Sequence, residues 1–194
     1  MEPFTFMKKN NYSEEEKHIL LDAVTVSIKY GLENGRIMPV NAALYPKKLQ
    51  EQRACFITLE TNGKLRGCIG SLKPQRPLIE DVVYNAYCAA FCDPRFMPLT
   101  KKEFSQLTKH IYVLSPSEPI TFSSEQDLLK QIRPNIDGLI LSDQGCRGTF
   151  LPSVWQNLPN PKDFLDNLKT KAGLPEDYWS DTIKVERYTV ETIE

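Results

Sequence analysis

Apolar residues recur at helical spacing in four segments of this sequence. The longest begins with the capping-box sequence SEEE and keeps an apolar face until a glycine, which predicts a helix over 13–35. A second helix is predicted over 77–93, because a proline opens it and Pro94 ends it. Similar patterns predict a capped helix over 123–132 and another helix over 160–174 that ends at a glycine.

Alternating apolar and polar residues mark the predicted strands. Two of them, 54–60 and 65–72, flank an Asn-Gly turn and form a predicted hairpin. The others are 109–116, the pair 137–142 and 147–152 around a second turn, and a long edge-like strand over 181–193. Helices and hairpins alternate without a regular βαβ order, which favours an α+β fold with a mostly antiparallel sheet and flanking helices.

Length and composition predict a soluble globular protein. The 194 residues suit a single domain over 1–194, or two small lobes that share a core. No apolar run approaches the roughly 18 residues of a membrane span. The first ten residues show no secretory leader, so we expect a cytoplasmic protein without a membrane role.

The net charge of −1 conceals a basic region. Residues 36–76 carry eight basic and two acidic side chains, a sum of +6, which leaves −7 for the rest of the chain. Such a region suits an anionic metabolite, a nucleic acid or an acidic partner, although a solvated lysine surface explains it as well. Because no nucleic-acid-binding motif accompanies it, we expect no specific nucleic-acid partner.

The five cysteines are predicted to be reduced thiols. Their spacing is irregular, and a chain of this size needs no disulfide for stability. The sequence has no C-x-x-C motif and its two histidines lie far apart, so we predict no metal site and no cofactor. Cys88 and Cys92 would share one helix face, which is more typical of a packed core than of half a zinc site.

The sequence LRGCIGSL, residues 65–72, interrupts a strand pattern with two glycines. On a strand, Arg66, Cys68 and Gly70 point to one face, so the guanidinium neighbours the thiol and favours the thiolate. Glycines that flank a cysteine also let a substrate approach closely. The structural alternative is a small buried Cys68, with Gly67 and Gly70 at a bulge or a tight strand contact.

Two further arginines lie in similar surroundings, Arg95 in the sequence DPRF and Arg147 in the sequence GCRGTF. If they converge with Arg66, the three guanidinium groups form a forked receptor for a carboxylate or phosphate. Alternatively, Arg95 caps the preceding helix and Arg147 is an exposed hairpin residue. Neither sequence matches a phosphate loop, a dinucleotide fingerprint or a nucleophile elbow, so the residues alone identify no reaction.

Five segments together carry a resemblance to a known family. LRGCIGSL, AAFCDPRFMPL, IDGLIL, GCRGTFLPSVW and FLDNLKTKAGLPEDYW, in this order, resemble the AMMECR-type domain family, named after the AMME-syndrome candidate region. The resemblance covers nearly the whole chain. It implies an α+β fold of two unequal subdomains, with the LRGCIG motif near a cleft between them. Family members have no established activity, and in prokaryotes they tend to be encoded beside a Memo-like protein and a radical-SAM protein.

The resemblance also implies which residues matter. The matching positions are Arg66, Gly67, Cys68 and Gly70, then Asp93, Pro94 and Arg95, then Arg147, Gly148 and Thr149. Cys146, directly before the last group, departs from the family pattern, in which a more polar residue is expected.

Two hypotheses of function follow. In the first, the protein is an enzyme for a small anionic or carbonyl substrate, with Cys68 as the nucleophile or thiol acid/base. Arg66, Arg95 and Arg147 then bind the substrate, and backbone near Gly67 and Gly70 supplies amide donors. A general base is missing from the motifs, although Glu176 and Asp177 are candidates. In the second hypothesis the protein is a non-catalytic adaptor for Memo-like and radical-SAM partners.

Overall fold

The computed structural model describes residues 11–194, and the interpretation of the first ten residues lies outside that range. The helices are α1 (Glu14–Asn34), α2 (Leu78–Phe91), α3 (Lys101–Phe104), α4 (Glu125–Gln131) and α5 (Pro161–Ala172). The strands are β1 (Cys55–Thr61), β2 (Lys64–Gly70), β3 (Leu107–Leu114), β4 (Glu118–Pro119), β5 (Gly138–Asp143), β6 (Cys146–Phe150), β7 (Lys184–Tyr188) and β8 (Val190–Ile193). Short 3₁₀ turns occur at Ala42–Leu44, Lys47–Gln50 and Pro152–Gln156.

Local capping signals place the helix ends. Ser13 and Glu16 form the expected capping box of α1, and Gly35 closes the helix in the left-handed conformation. Gly173 closes α5 in the same way. The four predicted helices are therefore confirmed, whereas the single-turn helix α3, which has its own capping box at Thr100, was not predicted.

The strands form two four-stranded sheets, in the orders β2-β1-β3-β8 and β4-β7-β5-β6. The pairings of β1 with β2 and β3, and of β5 with β6 and β7, are all antiparallel. The α+β prediction is confirmed. The prediction of one long strand over 181–193 is wrong, since these residues divide between β7 in one sheet and β8 in the other. The division occurs at Thr189, whose backbone N–H and C=O both bond to Ser115 instead of continuing a ladder.

The described residues divide into two compact and unequal units, residues 11–113 with 191–194, and residues 114–190. In the first unit, α2 packs on β1 and β2, and α1 packs on α2. In the second unit, α5 packs on β5 and β6, where the Trp155 and Phe164 rings stack with centroids 3.7 Å apart. Within residues 11–194, every helix is too short or too polar to cross a bilayer.

A strand glycine lies against a helix backbone in each unit. At Gly67 in β2, an added Cβ would overlap the carbonyl oxygen of Ala89 and lie 3.0 Å from its carbonyl carbon. At Gly148 in β6, an added Cβ would lie 2.8 Å from the backbone nitrogen of Ala172. Backbone atoms cannot rotate aside as a side chain does, so any larger residue at either position must separate the strand from its helix.

We expect Gly67→Ala to lower the free energy of unfolding by about 1–3 kcal/mol, because the new methyl group overpacks the contact with α2. Urea unfolding at neutral pH measures the change. Lys64→Ala is the matched control, since Lys64 is an exposed residue of the same strand. A Gly67→Ala variant as stable as the control would contradict this account of the glycine.

Candidate functional site

Three side chains of the first sheet form a row across neighbouring strands. Cys68 in β2 is directly opposite Thr58 in β1, and Thr58 is directly opposite His110 in β3. The neighbouring residues Ile57 and Leu59 point to the helix-covered core, so the row lies on the other face of the sheet. We call Cys68, Thr58 and His110 the cross-strand row.

The thiol of Cys68 has a hydroxyl neighbour within the row. Thr58 Oγ1 donates a hydrogen bond to Cys68 Sγ at 3.1 Å. Cys68 is half-buried, whereas Cys55, in the adjacent strand, is fully buried. The Cys68 thiol therefore accepts one hydrogen bond and is not fully buried in the apolar core.

His110 is the member of the row that the motifs did not reveal. Its Nδ1 lies 3.1 Å from Glu194 Oε2, and its Nε2 lies 3.8 Å from Glu60 Oε2. An ionised carboxylate only accepts hydrogen bonds, so Nδ1 carries the hydrogen of the bond to Glu194. The alternation of β1 and β3 was visible in the sequence, but the register that aligns His110 with Cys68 was not.

Asp93 and Arg95 hold the outer edge of β2 at Cys68. The Cys68 N–H donates to Asp93 Oδ2 at 2.9 Å, and Arg95 Nη2 donates to the Cys68 carbonyl at 3.3 Å. Two further bonds, of 2.9 and 2.7 Å, join the Arg95 guanidinium to the Asp93 carboxylate. The Arg95 hydrogen bonds hold the pKa of Asp93 well below its usual range, and the backbone donors of Cys68 and Arg95 add to them against the opposing effect of burial.

Arg66 is also paired with a carboxylate. Its Nε donates to Glu103 Oε1 at 2.7 Å, and its Nη2 donates to the Met97 carbonyl at 2.9 Å. The hydrogen bonds from Arg66, followed by those from Thr100, lower the pKa of Glu103 to about 2. The buried Nη1 of Arg66 has no hydrogen-bond partner among residues 11–194. The two guanidinium groups beside Cys68 are therefore balanced by Glu103 and Asp93.

The two glycines of the LRGCIG motif make tight packing contacts, as expected if they serve the structure and not a substrate site. Gly67 lies against α2, and an added Cβ at Gly70 would overlap the Phe56 ring. The register also shifts by one residue between Leu59 and Glu60, opposite the start of the motif. A role of this backbone in donating amides to a substrate stays a prediction.

Arg147 belongs to the second unit, whereas the other predicted site residues, Arg66, Gly67, Cys68, Gly70 and Arg95, belong to the first. It is exposed on β6 opposite Ser142, and within residues 11–194 its guanidinium makes neither a hydrogen bond nor an ion pair. The convergence of Arg147 with the other arginines, and the expected cleft, stay predictions.

The remaining cysteines have different surroundings. Burial, followed by the charge of Asp81, raises the pKa of the Cys55 thiol well above its usual value. Burial and the neighbouring Cys92 raise the pKa of Cys88 to about 11. All five thiols are free, and no group of three or more potential metal ligands occurs among residues 11–194.

Two antiparallel sheets with packed helices, together with the motifs described above, define a class of α+β proteins. A family model described as AMMECR1 matches residues 21–193. The chain is 35% identical to a protein of Methanothermobacter thermautotrophicus, over 90% of this chain and 91% of that protein. It is 37% identical to Protein MJ0810 of Methanocaldococcus jannaschii, over 77% of each. The crystal structure of an uncharacterized protein, PH0010 from Pyrococcus horikoshii, superposes with a TM-score of 0.77 at 32% identity and covers 93% of this chain and 91% of that chain.

The chain therefore belongs to the AMMECR1 family, as the resemblance of its motifs predicted.

The contacts of Asp93 predict a pH-dependent contribution to stability. We expect Asp93→Asn to lower the free energy of unfolding at pH 7 by about 1–3 kcal/mol, because the ionised acceptor of Cys68 and Arg95 is lost. The folded pKa of Asp93 lies below its unfolded value of about 3.9. Its contribution is therefore complete above about pH 4 and is lost as the pH falls toward the folded pKa. Urea unfolding at pH 7 and about pH 3 should show that the difference in the free energy of unfolding between wild type and Asp93→Asn is smaller in acid.

The control for this measurement is Asp22→Asn. Asp22 pairs with His18 on the exposed surface of α1, so its replacement should change stability little. If the difference in the free energy of unfolding between wild type and Asp93→Asn stays constant from neutral to acid pH, the ionised Asp93 carboxylate is not the source of the stabilisation.

Proposed function

We propose that the protein is an enzyme in which the Cys68 thiol attacks the carbonyl carbon of a small substrate. The observation that carries this proposal is the hydrogen bond from Thr58 to a half-buried thiol, on the sheet face opposite the one that packs against α2. A hydroxyl that donates to sulfur stabilises the thiolate, which is the nucleophilic form. Cys55 and Cys88 lack this combination, because burial disfavours their charged forms.

The proposed step is nucleophilic addition. A sulfur lone pair forms the S–C bond, while the C=O π electrons move to oxygen and produce an oxyanion. The N–H of Cys68 itself is engaged with Asp93, so it is not free to stabilise that charge. Other strand amides near Gly67 and Gly70 are the proposed donors.

The charges around Cys68 favour a carbonyl compound over a strongly anionic one. Arg66 and Arg95 already bind carboxylates of the protein, and a substrate anion would have to displace Glu103 or Asp93 to use them. Arg147, in the second unit, has no such partner within residues 11–194, so its guanidinium is available to a carboxylate or phosphate.

A non-catalytic adaptor is the second candidate, and a specific observation favours it. The guanidinium groups of Arg66 and Arg95, the carboxylate of Asp93 and the two motif glycines all have internal contacts that explain their presence. In this case the motif maintains the fold, and other surfaces bind partners of the Memo-like and radical-SAM classes that the family resemblance suggests.

Selective alkylation separates the two functions. We expect iodoacetamide to modify Cys68 before the other four cysteines in folded protein, as mass-spectrometric peptide mapping would show, since only Cys68 combines partial exposure with a hydroxyl donor. Protein unfolded in denaturant gives the intrinsic labelling of all five thiols, and Cys68→Ser confirms the assignment. The enzyme proposal fails if Cys55 or Cys146 reacts first while Cys68 stays protected until unfolding.

Ligand screening extends the test to the substrate. A library of small carbonyl compounds should contain members that raise the melting temperature of wild-type protein and leave a mass increase on Cys68. Cys68→Ser should lose the covalent increase. Hits that stabilise both proteins equally, without any adduct, would favour the adaptor instead.

A further inference from the structure

Three polar side chains cross the second sheet beside the turn that joins β5 to β6. Arg147 in β6 is directly opposite Ser142 in β5, and Ser142 is directly opposite Lys184 in β7. We propose that these three residues, which we call the basic row, bind the phosphate group of a small phosphate monoester. The proposal goes beyond the proposed function, because the basic row belongs to the second unit and takes no part in the chemistry of Cys68.

The three side chains of the basic row point to the same face of the sheet. Leu139 and Leu141 of β5 belong to the apolar core that includes α5, and side chains alternate along a strand, so Ser142 points to the opposite face. Directly opposed residues of antiparallel strands share a face, so Arg147 and Lys184 point the same way. Both are exposed, whereas Ser142 is half-buried. Two long cationic side chains therefore start on either side of a shorter hydroxyl group.

The polar groups of the basic row are available to a ligand. Within residues 11–194, the side chains of Arg147, Lys184 and Ser142 make neither a hydrogen bond nor an ion pair. Other arginines of the chain have a carboxylate oxygen at 3.6 Å or less, namely Arg53, Arg66, Arg76, Arg95 and Arg133. An anion that binds the basic row therefore displaces no carboxylate of the described residues.

The acidic residues beside the basic row have contacts of their own. Glu186 points to the same face from the neighbouring position of β7, and the Ser117 hydroxyl donates a hydrogen bond to it. Asp143 follows Ser142 but points to the other face. There its carboxylate accepts hydrogen bonds from the hydroxyl groups of Tyr178, Ser180 and Thr182. Both carboxylates thus border the basic row without pairing with its cations.

The donors of the basic row match a phosphate monoester. Such a group carries a charge of about −1.5 to −2 near neutral pH and has three acceptor oxygens. The Arg147 guanidinium can bind two of these oxygens through its fork, while Lys184 supplies a second positive charge and Ser142 donates to the third oxygen. Since β6 and β7 flank β5, the backbones at Arg147 and Lys184 lie about 10 Å apart, and both side chains can close over a ligand at Ser142. A carboxylate has two oxygens and one charge, so it would use these donors incompletely.

The test is the binding of methyl phosphate to the full chain, measured by phosphorus NMR titration at fixed ionic strength. We expect a dissociation constant on the order of 1 mM for wild type, as suits so small a ligand. Arg147→Gln should weaken binding about tenfold or more, because the charged fork is lost. Lys184→Gln and Ser142→Ala should each weaken it about three- to tenfold. The melting temperature without ligand should change little, because none of the three side chains is part of the core.

Two further variants separate recognition from net charge. Arg187→Gln removes the same charge from β7, but Arg187 is opposite Leu139 and therefore points to the other face of the sheet. This variant should bind methyl phosphate as wild type does. Arg147→Lys keeps the charge and removes the fork, so its affinity should lie between those of Arg147→Gln and wild type. Acetate and dimethyl phosphate, which carry a single charge, should bind wild type more weakly than methyl phosphate does.

The proposal is overturned if methyl phosphate binds wild type only above about 10 mM. It is also overturned if Arg187→Gln weakens binding as much as Arg147→Gln, because binding then follows net charge alone. Tighter binding of dimethyl phosphate than of methyl phosphate would indicate a phosphodiester, as in nucleic acid, and would overturn the monoester assignment. None of these measurements depends on Cys68, so the phosphate site and the thiol enzyme proposal can each fail while the other stands.

Discussion

The direct contact between the backbone of β2 at Gly67 and the backbone of α2 at Ala89 is the constraint on which the candidate site depends. Because Gly67 has no side chain, β2 and α2 approach so closely that an added Cβ would overlap the carbonyl oxygen of Ala89. This approach brings the end of α2, and Asp93 just beyond it, beside the outer edge of β2. The hydrogen bond from the Cys68 N–H to Asp93 needs that proximity, so a glycine controls the environment of the neighbouring thiol.

The two arginines beside the thiol are better understood as parts of this assembly than as free cations. Arg95 and Asp93 occupy the Cys68 carbonyl and N–H, the groups with which an exposed edge strand would pair with another chain. Arg66 ties β2 to the capping box of α3 through Glu103. Because each cation has its own carboxylate, these contacts fix geometry while leaving little net charge. Of the arginines in the predicted site, Arg147 alone has no such carboxylate partner among residues 11–194.

The sequence predicted what depends on local signals. Capping residues, prolines and an Asn-Gly turn set the ends of α1, α2 and the β1–β2 hairpin, and these features need no distant partner. The division of 181–193 between two sheets was not predictable in this way, because its alternation continues through Thr189, where contacts with Ser115 redirect the chain. The alignment of His110 with Cys68 was not predictable for a related reason, because it depends on the register of β1 with both β2 and β3.

The LRGCIG motif can stabilise the fold and still present a reactive thiol, because its packing contacts, its backbone contacts and its thiol lie on different sides of β2. Gly67 and Ile69 face the helices, and the backbone of Cys68 faces Asp93 and Arg95 at the edge. The thiol points to the remaining side, where its hydrogen-bond partner is Thr58. A strand held on one face and along its edge positions that thiol with little freedom, which is the pre-organisation that nucleophilic catalysis requires. The internal contacts that favour an adaptor would therefore serve equally well as the scaffold of the proposed reactive thiol, and only the reactivity of Cys68 separates the two proposals.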